Sequence, residues 1–204
     1  MYKRQEPARD EDALDKMCQV FEDSDFNIKA VLRHMLLSQW FKDARFQKIK
    51  SPAEVVAGTL RMVGLFENPD PGILNIGKEP TYMGQSILDP PSVEGWHTGL
   101  EWINSGALLA RINFVADRVS DPALPGMQDI IGRMRDEGVE TPDHLLDACA
   151  DYMGFVELSE ETRGQLAEHV RTSGNVDWAD YNGTATRIGE TMALISATTE
   201  YQFG

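Results

Sequence analysis

Apolar positions along the chain recur with helical spacing almost throughout. Ile28, Val31, Leu32, Met35 and Leu36 follow the i, i+3, i+4, i+7 rule behind a candidate cap at Asp25. Ser51-Pro52-Ala53-Glu54 has the form of a capping box with proline at the first helical position. Behind it Val55, Val56, Thr59, Leu60, Val63 and Phe66 share one face, and Asn68-Pro69-Asp70-Pro71-Gly72 ends the segment. The longest clean stripe runs from Ser105 through Leu108, Leu109, Ile112, Val115 and Val119. Further stripes are Met127, Ile130, Ile131 and Met134; then Leu145, Ala148, Cys149 and Tyr152 behind Thr141-Pro142. A segment opening at Ser159 runs through Leu166 and Val170, and a last one carries Ile188, Met192 and Ile195. No segment alternates with period two for long enough to make a strand. The pattern predicts an all-α chain, an irregular multi-helix bundle of about seven or eight helices.

One region breaks the period. Residues 67–104 are punctuated by prolines and glycines, with only Tyr82 to Leu88 expected to form a short helix. Compact domains rarely keep a loop this long without function or packing of its own. A second breaker cluster, Asp121-Pro122-Ala123-Leu124-Pro125-Gly126, reads as a linker or wide turn. Residues 1–120 are therefore expected to form a helical core carrying the 67–104 loop, with 121–204 a helical extension packed on it.

Charge sharpens that division. The chain has 204 residues with a formal charge of −14, from 19 basic and 33 acidic groups. Residues 1–120 hold 14 basic and 17 acidic groups, and residues 121–204 hold 5 and 16. So acidic a chain disfavours nucleic acid, which needs clustered Lys and Arg, and anionic membrane for the same reason. No apolar run approaches the length of a membrane span, and the first residues lack the apolar stretch of a signal peptide. Cys18 and Cys149 lie in apolar helical stretches and are expected as small buried hydrophobes.

Candidate chemistry concentrates at 90–113. Gly95 and Gly99 can supply positive φ around Trp96, Trp102 can fold back toward the same surface, and Asn104 or Ser105 can cap the next helix. Trp96 and Trp102 either form an exposed platform for sugar rings, with His97, Asn104 and Arg111 bonding hydroxyls or a sulfate, or plug the loop into the core. Asn113 is a further polar candidate. Arg111, on a mostly apolar helix, needs a partner, for which Asp89, Glu94 or Glu101 is available. Asp143, Asp147 and Asp151 line one helix face, a solvated acidic surface, since one straight helix cannot enclose a cation. His34, His144 and His169 have no partner at metal-ligand spacing. No metal, cofactor or catalytic set is read from these residues: there is no phosphate loop, HExxH motif or nucleophile elbow.

Gly95-Trp96-x-x-Gly99-x-x-Trp102-Ile103-Asn104 with Leu108-Leu109-Ala110-Arg111-x-Asn113-Phe114 resembles the C-terminal signature of the bacterial "domain of unknown function 1800" family. Phe26 to Phe41, Lys50-Ser51-Pro52 with the helix through Arg61, and Glu200-Tyr201-Gln202 are similar to it too. Members are typically more than twice this length, largely helical and often exported, so the resemblance implies the C-terminal half of such a protein. It implies no reaction. The expected function is a non-catalytic binding or scaffolding module of an exported assembly, presenting the Trp loop to a protein or a carbohydrate. Two alternatives stand beside it. One is a hydrolase-type enzyme on sulfated or other polysaccharides, with Arg111 and His97 on the leaving anion and Asp89 or Glu101 as acid/base. The other is a fragment whose apolar faces pack on a missing N-terminal half.

Overall fold

The computed structural model describes residues 10–96, 99–154 and 156–203, and it divides into two compact units, 1–48 and 49–203. Among the described residues the chain is all-α, with a single isolated bridge between Ile49 and Phe203.

The first unit holds α1 (Glu11–Asp23), α2 (Ile28–Leu37) and α3 (Gln39–Asp43), with α1 against α2 and α2 against α3. Asp10 caps α1, its Oδ1 accepting from the Ala13 amide at 2.9 Å, and Glu11 and Asp12 suit the positive end of the helix. The chain leaves α1 through two left-handed residues, Asp25 (φ 55°) and Phe26 (φ 61°). The Phe26 amide reaches the Phe21 carbonyl at 2.8 Å, and the two rings meet edge to face at 5.2 Å. Asn27, not Asp25, therefore caps α2. Little is buried here: Ala13 is, but no residue of α2. Cys18 is exposed, contrary to the expectation from its stripe, because a three-helix unit this small cannot cover both sides of α1.

The second unit contains α4 (Pro52–Met62), α5 (Ile73–Ile76), α6 (Glu79–Tyr82), a 3₁₀ turn at Gly99–Trp102, α7 (Ser105–Val119), α8 (Pro125–Asp136), α9 (Pro142–Tyr152), α10 (Glu160–Arg171), α11 (Tyr181–Ser196) and α12 (Thr199–Gln202). The Ser51 capping box forms in full: Ser51 Oγ accepts from the Glu54 amide at 3.3 Å and Glu54 Oε2 from the Ser51 amide at 2.7 Å. Thr141 and Ser159 cap α9 and α10 as their spacing predicts. The core is built from the periodic residues: Val55, Val115, Val119, Met127, Ile131, Met134, Leu145, Cys149, Ile188, Met192 and Ile195 are all buried in one cluster. α7 and α11 cross closely because Gly189 has no Cβ, where one would lie 2.8 Å from the Val119 carbonyl oxygen. At the start of α8 a Cβ on Gly126 would overlap the Met62 carbonyl oxygen, and its amide donates to Val63 O at 3.0 Å. The Asp121–Gly126 cluster is thus a turn in which Pro125 opens α8 against the end of α4.

The 67–104 stretch differs from its expected form. Its α-helical turns fall at Ile73–Ile76 and Glu79–Tyr82, with the 3₁₀ turn at Gly99–Trp102, and not at Tyr82 to Leu88, because Gly84 (φ 95°) turns the chain away just after α6.

Candidate functional site

The signature residues separate into pins and surface. Trp102 is buried, beside Gly84, where a Cβ would lie 3.8 Å from its Cδ1. Trp96 is half-buried, and its indole Nε1 donates to the Ser86 carbonyl at 2.7 Å. The two rings therefore do not form the exposed sugar platform that the sequence allows: Trp102 is held by packing, its indole N–H buried without a hydrogen-bond partner among the described residues, and Trp96 by its main-chain hydrogen bond. His97 lies outside the described residues. Asn104 is the N-cap of α7, its Oδ1 accepting from the Ala107 amide at 3.0 Å. Asn113 is exposed on α7 and carries no partner role in the arrangement around Arg111.

Arg111 is fully buried. The sequence pairs it with a loop carboxylate, whereas the structure gives it main-chain and amide partners. Its Nε donates to Gln202 Oε1 at 2.7 Å and its Nη2 to the Lys50 carbonyl at 2.7 Å. Gln202 in turn donates through Nε2 to the Ser196 carbonyl at 2.8 Å. The Lys50 amide reaches the Gln202 carbonyl at 2.9 Å, and Lys50 Nζ donates to the Tyr201 carbonyl at 2.7 Å while sitting 4.2 Å from the Tyr201 ring centroid. Three distant segments, 49–50, 111 and 201–202, thus meet at one guanidinium. Burial draws Arg111 down to about 10, and burial together with the Arg111 charge draws Lys50 down to about 8. The partners of this joint, Lys50, Tyr201 and Gln202, are invisible to local spacing, although each lies in a segment that carries the family resemblance.

Between the pins lies an arch. Ile87 through Glu94 are all exposed, and the arch is closed at its base by the Trp96–Ser86 bond and by the Asp89 amide donating to Ser86 O at 3.2 Å. Pro90 and Pro91 stiffen its crest. Val93 is 98% exposed and Leu88 91% exposed. Leu88 is also left-handed, with φ 66°, a conformation that costs a leucine of order 1–2 kcal/mol.

Asp89 and Glu94 stand exposed on the arch, and among the described residues no group of three His, Cys, Asp or Glu side chains could hold a metal ion. The Asp143, Asp147 and Asp151 face of α9 is in contact with solvent, as expected, and two of its carboxylates also pair with α10: Arg171 Nη2 donates to Asp143 Oδ1 at 2.7 Å, and Arg163 Nη2 to Asp147 Oδ2 at 3.0 Å. Cys149 is fully buried, and burial pushes its thiol far above the ordinary range, which leaves it inert as a nucleophile. His144 and His169 are exposed on α9 and α10. No described helix is long and apolar enough to cross a membrane.

A family model described as "Protein of unknown function (DUF1800)" matches residues 4–203. No curated protein matches the chain, and no solved structure does.

Proposed function

Because the chain belongs to the DUF1800 family over nearly its whole length, and the pinned signature leaves an apolar arch outside, we propose that it is a non-catalytic protein-binding module whose contact surface is the segment 67–104. The observation that carries the reading is Leu88: a strained leucine, 91% exposed, has no packing to justify its backbone. Leu74, Val93 and Leu100 of the same segment are exposed by 85%, 98% and 73%. Proline stiffening and the Trp96 pin hold the arch in one shape before binding, which reduces the ordering cost of association. The segment 67–104 bears Glu67, Asp70, Glu79, Asp89, Glu94 and Glu101 against Lys78 alone, so a partner with apolar and basic groups fits it. In this reading residues 1–120 carry the contact surface, and the more acidic 121–204 backs it. A setting in an exported assembly rests on family resemblance alone.

The test places a photo-crosslinking residue at Val93 in the full chain in cells, with the same probe at exposed Gln128 as the control. A discrete protein adduct from position 93 only is expected. Equal adducts from both positions, or none, would sink the reading. A companion variant, Leu88→Gly, is expected to leave the urea midpoint within about 1 kcal/mol of wild type, since relief of strain and loss of chain entropy oppose each other, while abolishing the adduct.

A further inference from the structure

α2 presents an apolar face that its own unit leaves uncovered. Ile28, Leu32, Leu36 and Leu37 are 68%, 49%, 51% and 64% exposed, and Phe26 just before the helix is 65% exposed. Lys29, Leu32, Arg33, Leu36 and Leu37 line a shallow hollow of about 330 Å³ on this helix. The helix carries Lys29, Arg33 and His34 and no carboxylate at all. Its charge pattern is the inverse of the arch's, where Ile87 to Glu94 carry Asp89 and Glu94 and no Lys or Arg.

These two surfaces complement each other in both of the terms that stabilise association. Each exposes aliphatic side chains that would leave water on contact, and each carries only the charge sign the other lacks. Other occupants of the α2 face fit less well. Two α2 helices face to face would set Lys29 and Arg33 against their own copies, with no carboxylate between them. A nucleic acid would find leucines where phosphate contacts are needed. Among the acidic surfaces of this chain, the arch is one that also exposes aliphatic side chains, Leu88 and Val93.

We propose that the arch Ile87–Glu94 of one copy seats on the α2 face of a second copy, with Leu88 and Val93 over the Leu32–Leu36 hollow and Asp89 and Glu94 toward Lys29 and Arg33. Pairing of two copies through this contact makes a dimer. This rests on the reading of the arch as a binding surface and names its partner.

Sedimentation of the full chain from about 1 to about 100 µM, a range that resolves weak to moderate pairing, is the test. At low salt the mass is expected to rise from 22.8 kDa toward twice that value. About 0.5 M salt should weaken the association, because exposed charges are then screened beyond a few ångströms. Arg33→Glu is expected to weaken it about tenfold or more, and adding Glu94→Arg in the same chain to restore most of the loss. Both positions are exposed, so circular dichroism should show an unchanged fold. A monomer at the highest concentration, or a dimer indifferent to Arg33→Glu, overturns the proposal. If the Val93 crosslink still captures a different protein while the chain sediments as a monomer, the second-copy partner fails and the arch reading stands. A monomer with no crosslink removes both.

Discussion

Arg111 and Leu88 lie 23 positions apart, in or beside the same signature, and their environments are opposite. Arg111 is a charged side chain with no exposed surface, held by the Lys50 carbonyl and the Gln202 amide. Leu88 is an aliphatic side chain almost wholly in water, on a backbone that leucine does not favour. Each residue stands where its solvation alone would not put it. The difference lies in what compensates. Around Arg111 the compensation is internal: its Nε and Nη2 make hydrogen bonds that draw remote segments together and offset part of the burial cost, while Nη1 has no partner among the described residues. Around Leu88 nothing among the described residues compensates, which is why function is sought there. A dense motif therefore marks importance without saying of which kind, and burial tells the two kinds apart.

The sharpest way to break this comparison is truncation on its two sides. Trp102→Ala should lower unfolding free energy by about 3–5 kcal/mol, the usual cost of removing a buried indole. Arg111→Ala should fall in a similar range of about 3–5 kcal/mol, because Gln202 and the Lys50 carbonyl would be left buried without their partner. Val93→Ala, 98% exposed, should change it by less than about 0.5 kcal/mol. Urea titrations followed by far-UV circular dichroism measure all three. Equal losses across the set would mean that the arch is part of the core, and the binding reading would go with it.

Much of the frame was legible in the sequence, for identifiable reasons. The Ser51 box, Thr141 and Ser159 are local signals, and the caps they form involve residues three positions apart. The stripes of α8 and α11 are local too, and their residues fill the core, whereas of the α7 stripe only Val115 and Val119 do and Leu109 stays exposed. Arg111 announced only that it needed a partner. Its partners lie 61 and 91 positions away, beyond the reach of any spacing rule. The two tryptophans were legible as important and not as buried, since Pro/Gly-framed aromatics serve platforms and plugs alike. Leu88 carried no signal at all: a left-handed leucine reads in sequence like any other loop leucine. Cys18 misled because a helical stripe implies a covering layer, and the small unit around α1 supplies little of one.

A smaller effect sharpens the buried side of the comparison through pH. Lys50 sits at about 8 in the folded chain against 10.5 for an ordinary lysine, lowered by burial first and by Arg111 second. The native state therefore binds fewer protons than the unfolded chain between about pH 8 and pH 10.5. Stability contributed by this group should rise with pH across that window; below it both states are protonated and the penalty is constant. Lys50→Met should lack the rise, a difference on the order of 1 kcal/mol once partial wetting of the ammonium is allowed for. Cys149 and Tyr152, pushed up by burial, act in the opposite direction in both proteins and cancel in the difference. Parallel pH profiles for the two proteins would show that Lys50 is solvated and that the joint does not close around it.

The finest test separates two asparagines of the signature. Asn104 satisfies the Ala107 amide at the start of α7, one of the donors a helix leaves open at its N-terminus, and Asn104→Ala should cost about 1 kcal/mol. Asn113 is exposed nine residues later on the same helix, and Asn113→Ala should stay within about 0.5 kcal/mol. Neither change touches the arch, so the Val93 crosslink should survive both. If Asn113→Ala leaves stability intact and yet removes the adduct, the contact surface extends from the arch onto α7, and exposed Leu109 on that helix becomes part of it. If Asn104→Ala removes the adduct along with its cap, the arch depends on the first turn of α7 for its shape, and the division between pins and surface runs one residue pair later than Trp102.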